Sequence, residues 1–405
     1  MIKSTKLSTK FTNKIKLDNL NLFIDEYRRV VSQFVDILWP RDKIPKLLPK
    51  TTTSQITTWL SARAVQAVAK QASGIVRGTR KKQQKRNYIY NKLLTENKTK
   101  QAKKLKFIID KIQVSKPNIN QVEPELDSRF IKQDWQNQTS FDGIITITSL
   151  GNKLKIPIPV KATKHFNKLT AAGGQLKPGL RLSKKAITLV FDLPEVKPKQ
   201  TGQTLGLDIG VLNTFTLSNG VASQPCKHGH TLQTINQKLS RKTKASKAFT
   251  KAQQHRTNYI NWSLNQINLN NTKTLKLENI KYLRHKTQYS RYLSHFTYTE
   301  IYRKLEDLCK SNGCSVEYTN PTYTSQRCSN CGWVRSSNRK GKQFKCEACK
   351  FKCDSDYNAA CNIATPLLSI TKATRLKHRN RKGFYWNVSR RKPIVSSTQE
   401  SSGHK

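Results

Sequence analysis

Acidic residues are scarce in this 405-residue sequence: 24 Asp and Glu stand against 75 Lys and Arg, a formal net charge of +51. Such a chain repels itself unless a polyanion neutralises it, and the excess is far beyond what a small phosphorylated substrate requires. Nucleic acid is the polyanion this points to, although a ribosomal or histone-like protein leaves the same footprint. Long apolar runs are lacking too. No stretch of about eighteen apolar residues predicts a transmembrane helix, so no membrane partner is expected. The first thirty residues lack the apolar centre of a signal peptide. The expected location is therefore the cytoplasm or nucleoid, or the nucleus if the source is eukaryotic. Internal repeats are missing as well.

What is present is enough to fold. Hydrophobic residues make up 36%, with 6 Trp, 13 Tyr and 14 Phe, and the length suits two or three domains. Nine cysteines in a chain of this size argue for metal binding over disulfides. Near the N-terminus, LDNLNLFIDEYRRVVSQFVDILWP reads as one amphipathic helix with Leu20, Phe23, Ile24, Tyr27, Val31, Phe34, Val35 and Leu38 on its apolar face. Asp18 or Asn19 is the expected cap and Pro40 the stop. The helical pattern continues from Thr53 to Val114 and holds the basic run Arg77 to Arg86. Tyr88 and Tyr90 suit either base stacking or a core.

After Pro117 the pattern becomes extended. DGIITITSLGNKLKIPIPV predicts two strands joined at Gly151 and Asn152, with Pro157 and Pro159 marking an edge, and KKAITLVFDLP predicts another strand. The expected fold of residues 1–200 is a small β-barrel interrupted by a helical insertion. Pro194 to Gln203 reads as a linker, and the basic then Ser-rich residues from about Leu376 read as a tail.

Thr204 to Gly220 predicts a strand, a turn and a returning strand. Gly206 and Gly210 flank Asp208 on one face, leaving room for a metal ion and a phosphate to approach. TKTLKLENIKYL predicts a second strand ending in Glu278. Cys328 and Cys331, then fourteen residues, then Cys346 and Cys349 form two knuckles whose four thiolates close a tetrahedral, structural zinc site. Cys353 is a possible substitute ligand, whereas Cys226, Cys309, Cys314 and Cys361 suit buried apolar positions. Asp354 and Asp356 precede a short helical pattern, and either is a reasonable N-cap. Three dispersed acids in so acid-poor a chain could also gather into one divalent-metal site able to activate water at a phosphodiester.

The order GLDIGVLNTFTLSNG, LKLENI, YTSQRCSNCG…FKCEAC, DSDYNAACNIA resembles the TnpB family of transposon-encoded nucleases, and equally the compact type V CRISPR (Cas12-like) nucleases. The match spans Thr204 to about Leu368. It implies an α+β multidomain protein: a wedge β-barrel at 1–19 and 115–200, and a helical recognition insertion at 20–114. A RuvC domain of RNase H-like fold at 201–325 and 354–375 follows, with a zinc-bearing target-nucleic-acid-binding loop at 326–353; the tail at 376–405, expected to be disordered from its composition, has no clear counterpart in the family. The resemblance assigns Asp208, Glu278 and Asp356 to catalysis with Mg²⁺ or Mn²⁺, makes Asp354 a capping neighbour, and puts Zn²⁺ on the four cysteines. It implies a guide RNA, from the transposon or a CRISPR array, and a double-stranded DNA target. Lys70, Arg77, Arg80, Lys81, Lys82, Arg241, Lys242 and Arg339 are the expected nucleic-acid contacts, within a basic helical segment from Lys238 to Arg256 for Arg241 and Lys242. The implied activity is RNA-guided DNA cleavage beside a short motif read by the protein. The alternatives are a CRISPR effector using a crRNA and a non-cleaving RNA-guided repressor.

Overall fold

A computed structural model describes the chain except residues 112–113, 136–138, 211–212, 281–296, 368–382 and 387–405 and the side chains of Lys82 and Lys111. It divides into two compact units, Met1–Glu195 and Val196–Lys405.

In the first unit, β1 (Ile2–Ser8) is followed by α1 (Lys14–Leu38). All eight residues expected on the apolar face of α1 are fully buried. The helix starts earlier than expected because the Asn13 side chain accepts a hydrogen bond from Lys16 N at 2.9 Å, which caps it there. It stops at Leu38, immediately before the Trp39–Pro40 pair. The one-turn α2 (Lys50–Thr53) precedes α3 (Ala62–Thr95) and α4 (Thr99–Lys111). Ala64, Val65, Val68, Ala69, Ala72 and Val76 bury the first half of α3 against the core that α1 builds. Past Val76 the helix carries the basic run and Tyr88, which is 67% exposed and so no core residue.

The strands of this unit are β2 (Glu125–Leu126), β3 (Ile131–Asp134), β4 (Gly143–Ile147), β5 (Ile156–Val160), β6 (Gln175–Leu182) and β7 (Ala186–Asp192), with α5 (Lys164–Ala171) between β5 and β6. They form two open antiparallel sheets, in the orders β1-β7-β6-β2 and β3-β4-β5. The expected barrel is not closed among the described residues, since each sheet ends in two strands with a partner on one side only. Pro157 and Pro159 explain one of these edges. They lie in β5 opposite Thr146 and Ile144, and a residue without an N–H cannot carry a ladder outward.

The second unit begins inside the expected linker. Lys199 N donates to Gly313 O at 2.8 Å, and its Nζ reaches Leu269 O at 2.6 Å and Asn270 O at 2.7 Å, so this part is anchored. The central sheet has the order β11-β10-β8-β9, from β8 (Gln203–Asp208), β9 (Thr216–Leu217), β10 (Thr272–Glu278) and β11 (Ser315–Thr319). β8, β10 and β11 are parallel, and β9 returns antiparallel at the edge. Helices α6 (Leu232–Ser240), α7 (Lys247–Leu264) and α8 (Tyr298–Ser311) bring Ile235, Ile260, Leu264, Ile301 and Leu305 into the core with Leu205, Leu207, Leu275 and Leu277. The cysteine-bearing loop contributes β12 (Trp333–Val334), β13 (Arg339–Lys340), β14 (Gln343–Lys345) and β15 (Lys352–Asp354), and leads into α9 (Ser355–Ala364).

Part of the expected tail is structured. The strand β16 (Phe384–Tyr385) pairs with β12, Trp333 opposite Tyr385 and Val334 opposite Phe384. Phe384 and Trp386 pack on Val334, and a side chain at Gly383 would fall on the Trp333 ring. The composition of this stretch is basic overall, and its three aromatic residues Phe384, Tyr385 and Trp386 find apolar partners in the folded loop. The rest of the expected tail lies outside the described residues. No described helix is long and apolar enough to cross a membrane.

Candidate active site

Parallel register brings the first two acids together. Leu207 pairs with Leu277, so Asp208 and Glu278 follow side by side at the C-terminal ends of β8 and β10. The C-terminal edge of parallel strands is where open α/β sheets place their ligands. The third acid arrives on α9, which packs against β8. Gly206 makes that approach possible, because a Cβ there would lie 2.1 Å from Ala360 O and 2.4 Å from Ala364 N. The glycine before Asp208 therefore serves helix packing, and the space expected for metal and phosphate on that side is filled by α9.

The two aspartates of the DSD stretch differ. Asp354 is the N-cap of α9, its Oδ1 accepting from Asp356 N at 2.8 Å and Tyr357 N at 3.1 Å. Asp356 is buried in the first turn. Its carboxylate accepts from Arg339 Nη2 at 3.2 Å and from Lys342 Nζ, both on the hairpin of β13 and β14. Arg339, expected as a nucleic-acid contact, is placed beside Asp356, and Lys342 joins it without having been anticipated. GKQ at the tight turn of a basic loop gave no signal that separated this lysine from its many neighbours.

The electrostatics tie the three acids into one cluster. Burial pushes the Asp208 carboxyl up to about 8, and Glu278 and then Asp356 add to the shift while Arg339 and Lys342 oppose it. Burial also raises Glu278, against a hydrogen bond from the Thr324 hydroxyl and the charge of Arg339. Asp356 is buried and Asp208 and Glu278 are half-buried, and a site where two carboxylates raise the proton affinity of a third fits a divalent cation, whose oxygen-donor preference and charge answer both features. The carboxylate oxygens do not converge as closely as the cysteine sulfurs do. Among the described residues only Cys328, Cys331, Cys346 and Cys349 gather every ligand atom within 4.8 Å of the others.

Those sulfurs fit a tetrahedral ion. Cys328 lies 3.7 Å from Cys349 and Cys331 lies 3.6 Å from Cys346, close to the roughly 3.8 Å edge that a tetrahedron with bonds of about 2.3 Å requires. Cys353 stands outside the group. Cys309 is buried as expected, whereas Cys226, Cys314 and Cys361 are only half-buried.

The remaining expected contacts scatter. Lys70 and Lys81 are exposed on α3. Arg77 Nε donates back to Ser73 O at 3.3 Å. Arg80 is engaged inside the fold: its guanidinium donates to the carbonyls of Trp39, Arg41 and Asp42 and lies over the Trp39 ring. Binding the carbonyls just past α1 is a structural role that the charge run alone did not reveal. The Lys82 side chain is outside the described residues. Arg241 is exposed at the end of α6, and Lys242 lines a cleft with Lys238, Lys251 and His255.

The family model for the Cas12f1-like TNB domain matches residues 298–363, from α8 to the end of α9. A CRISPR-associated endodeoxyribonuclease Cas12f1 of Sulfoacidibacillus thermotolerans is 43% identical over 89 residues, covering 22% of this chain and 21% of that protein. The resemblance to TnpB and compact Cas12 nucleases holds. The putative RNA-guided DNA endonuclease InsQ of Escherichia coli K12 is 27% identical over 191 residues, 39% of this chain and 48% of its own length. The chain thus spans about a fifth of the first Cas12f1 relative and about half of the TnpB-type one. A cryo-EM structure of a Cas12f1–sgRNA–target DNA complex aligns over 90% of this chain and 99% of its own with 15% identity and a TM-score of 0.45. The TNB match takes in the four cysteines and both aspartates of the DSD stretch, and leaves Asp208 and Glu278 outside it.

Proposed function

We propose that this chain is an RNA-guided DNA endonuclease that binds a guide RNA and cuts complementary double-stranded DNA beside a short motif read by the protein. The observation that carries the reading is the convergence of Asp208, Glu278 and Asp356 at one end of the parallel strands, with Asp208 held near 8 by burial and its two neighbours. The names of the Cas12f1 and InsQ relatives support the same reading.

In this reading the second unit is a RuvC-like nuclease domain of RNase H-like fold. Mg²⁺ or Mn²⁺ held by the three carboxylates would supply Lewis acidity and a water of lowered pKa at the scissile phosphate. The protein's own part is to orient the acids on β8, β10 and α9 and to exclude bulk water by burial. Arg339 and Lys342 would bring positive charge to the strand being cut. Zn²⁺ at the four cysteines would hold the target-binding loop at 326–353 in shape. The first unit would supply the helical recognition insertion (20–114) and all but the last five residues of the wedge (1–19 and 115–200). Lys70, Arg77, Lys81, Lys82, Arg241 and Lys242 would neutralise RNA and heteroduplex phosphates, with Arg80 contributing less because its donors are engaged.

The test is the purified protein with its copurifying RNA, a matched DNA duplex and Mg²⁺. Cutting of both strands only when guide and target match is the expected result. Tight binding with no cut would replace the reading with an RNA-guided repressor, and cutting without regard to match would replace it with a guide-independent nuclease.

A further inference from the structure

Glu278 is held at two points. Its backbone carbonyl accepts from the Tyr302 hydroxyl, and its Oε1 accepts from the Thr324 hydroxyl. Thr324 is only 4% exposed and sits just before the first cysteine knuckle, with Pro321 O a second neighbour of its hydroxyl at 3.1 Å. A hydroxyl has one proton, and a carboxylate is the stronger acceptor, so the Glu278 bond takes precedence.

The backbone of Thr324 is fixed in turn. Asn362 Nδ2 donates to Thr324 O at 2.8 Å and to Arg327 O at 2.7 Å, and Asn362 Oδ1 accepts from Arg327 Nη1 at 2.6 Å. Asn358 Nδ2 donates to the same Arg327 carbonyl at 2.8 Å, and its Oδ1 accepts from Ser329 N at 2.9 Å, inside the Cys328–Cys331 knuckle. Arg327 Nε donates to Trp386 O at 2.7 Å, reaching the C-terminal strand segment. Arg327, Asn358 and Asn362 are each at most 4% exposed. A buried polar network with its donors and acceptors matched in this way selects one geometry, and loss of a member leaves partners unsatisfied.

We propose that Thr324 is a positioning residue that aims the Glu278 carboxylate into the metal site, and that the cysteine knuckle sets its place through Arg327, Asn358 and Asn362. The proposal rests on the reading of Asp208, Glu278 and Asp356 as divalent-metal ligands. Thr324 touches a ligand and not the metal. Its effect is to choose one orientation of Glu278 before a cation arrives, as hydrogen bonds from outside the ligand sphere commonly do. The cysteine site then has a second task beyond shaping a substrate loop, because the same knuckle backbone is bonded to α9, which carries Asp356.

The experiment measures Mn²⁺ binding to the full-length zinc-loaded protein by electron paramagnetic resonance, in the wild type and in Thr324→Val, Thr324→Ser and Glu278→Gln. Thr324→Val keeps the shape and removes the hydroxyl. It should weaken Mn²⁺ about tenfold or more with zinc content unchanged, and Thr324→Ser should restore binding. The Mn²⁺ concentration giving half-maximal cleavage should shift in parallel, more than the rate at saturating Mn²⁺. Arg327→Lys, which cannot serve Asn362 and Trp386 together, should weaken Mn²⁺ while zinc stays bound. Wild-type affinity in Thr324→Val, or equal loss in Thr324→Val and Thr324→Ser, would overturn the positioning role while leaving the metal site standing. Mn²⁺ binding that Glu278→Gln does not reduce would instead bring down the carboxylate metal site itself.

Discussion

The second unit builds its two candidate metal centres in opposite ways. The four cysteines span 328 to 349, two short knuckles on neighbouring hairpins, and their spacing is legible as a unit. The three acids stand at 208, 278 and 356, and only parallel register and one helix-to-strand contact make them neighbours. A centre made locally should fail locally, whereas a centre made by topology should be sensitive to packing far along the chain.

The largest effect is expected at the acids. Asp356→Ala should slow cleavage by about a thousandfold or more, equivalent to roughly 4 kcal/mol of lost stabilisation, while guide and target binding stay intact. Cleavage assays beside filter binding check this, and if Asp354→Ala is the dead variant and Asp356→Ala the active one, the roles assigned to the two aspartates are reversed. Cys346→Ser should remove zinc and weaken the loop, read by metal analysis and by a lower unfolding temperature of the second unit. One zinc per chain in that variant would count against four thiolate ligands.

Gly206→Ala tests the topological centre from a distance. The added methyl meets the backbone of α9, so the helix must shift, and overpacking of this kind costs about 1–3 kcal/mol. Cleavage should fall more than zinc content does, since the cysteines lie outside the contact. The pH response separates the centres further. Asp208, raised to about 8, holds a proton below that value which a cation must displace. Mn²⁺ affinity should therefore climb with pH up to about 8, by at most about tenfold per unit for one proton, and then level off. A flat profile from pH 6.5 to 8 would contradict the coupling of Asp208 to its neighbours. The smallest effect is expected at Arg80→Ala, which should lower stability by about 1 kcal/mol through lost carbonyl bonds and change RNA affinity little.

What the sequence revealed follows the same division. The apolar face of α1, the cysteine knuckles, the capping role of Asp354 and the proline-marked edge of β5 all depend on residues a few positions apart, and each was legible. The split of the first-unit strands into two open sheets, the engagement of Arg80, the reason for Gly206 and the link from Thr324 to Glu278 depend on partners tens to hundreds of residues away. In one sequence such partners leave no periodicity and no spacing. Charge misleads for the same reason: Arg80 and Lys81 are neighbours in one basic run, yet one guanidinium is bound within the fold and the other side chain is exposed.

The strand at Phe384–Tyr385 has a consequence for the timing of assembly. Translation runs from the N-terminus, so Asp208, Glu278, Asp356 and the four clustered cysteines emerge from the ribosome before the segment that braces Trp333 and accepts the Arg327 guanidinium. A nascent chain halted before Gly383 would possess the complete set of ligands with one wall of their support still unmade. Premature release would then yield a chain whose first unit is whole while the second lacks the pairing at Trp333 and the acceptor for Arg327 Nε, so that the cysteine-bearing loop and α9 are held together less firmly.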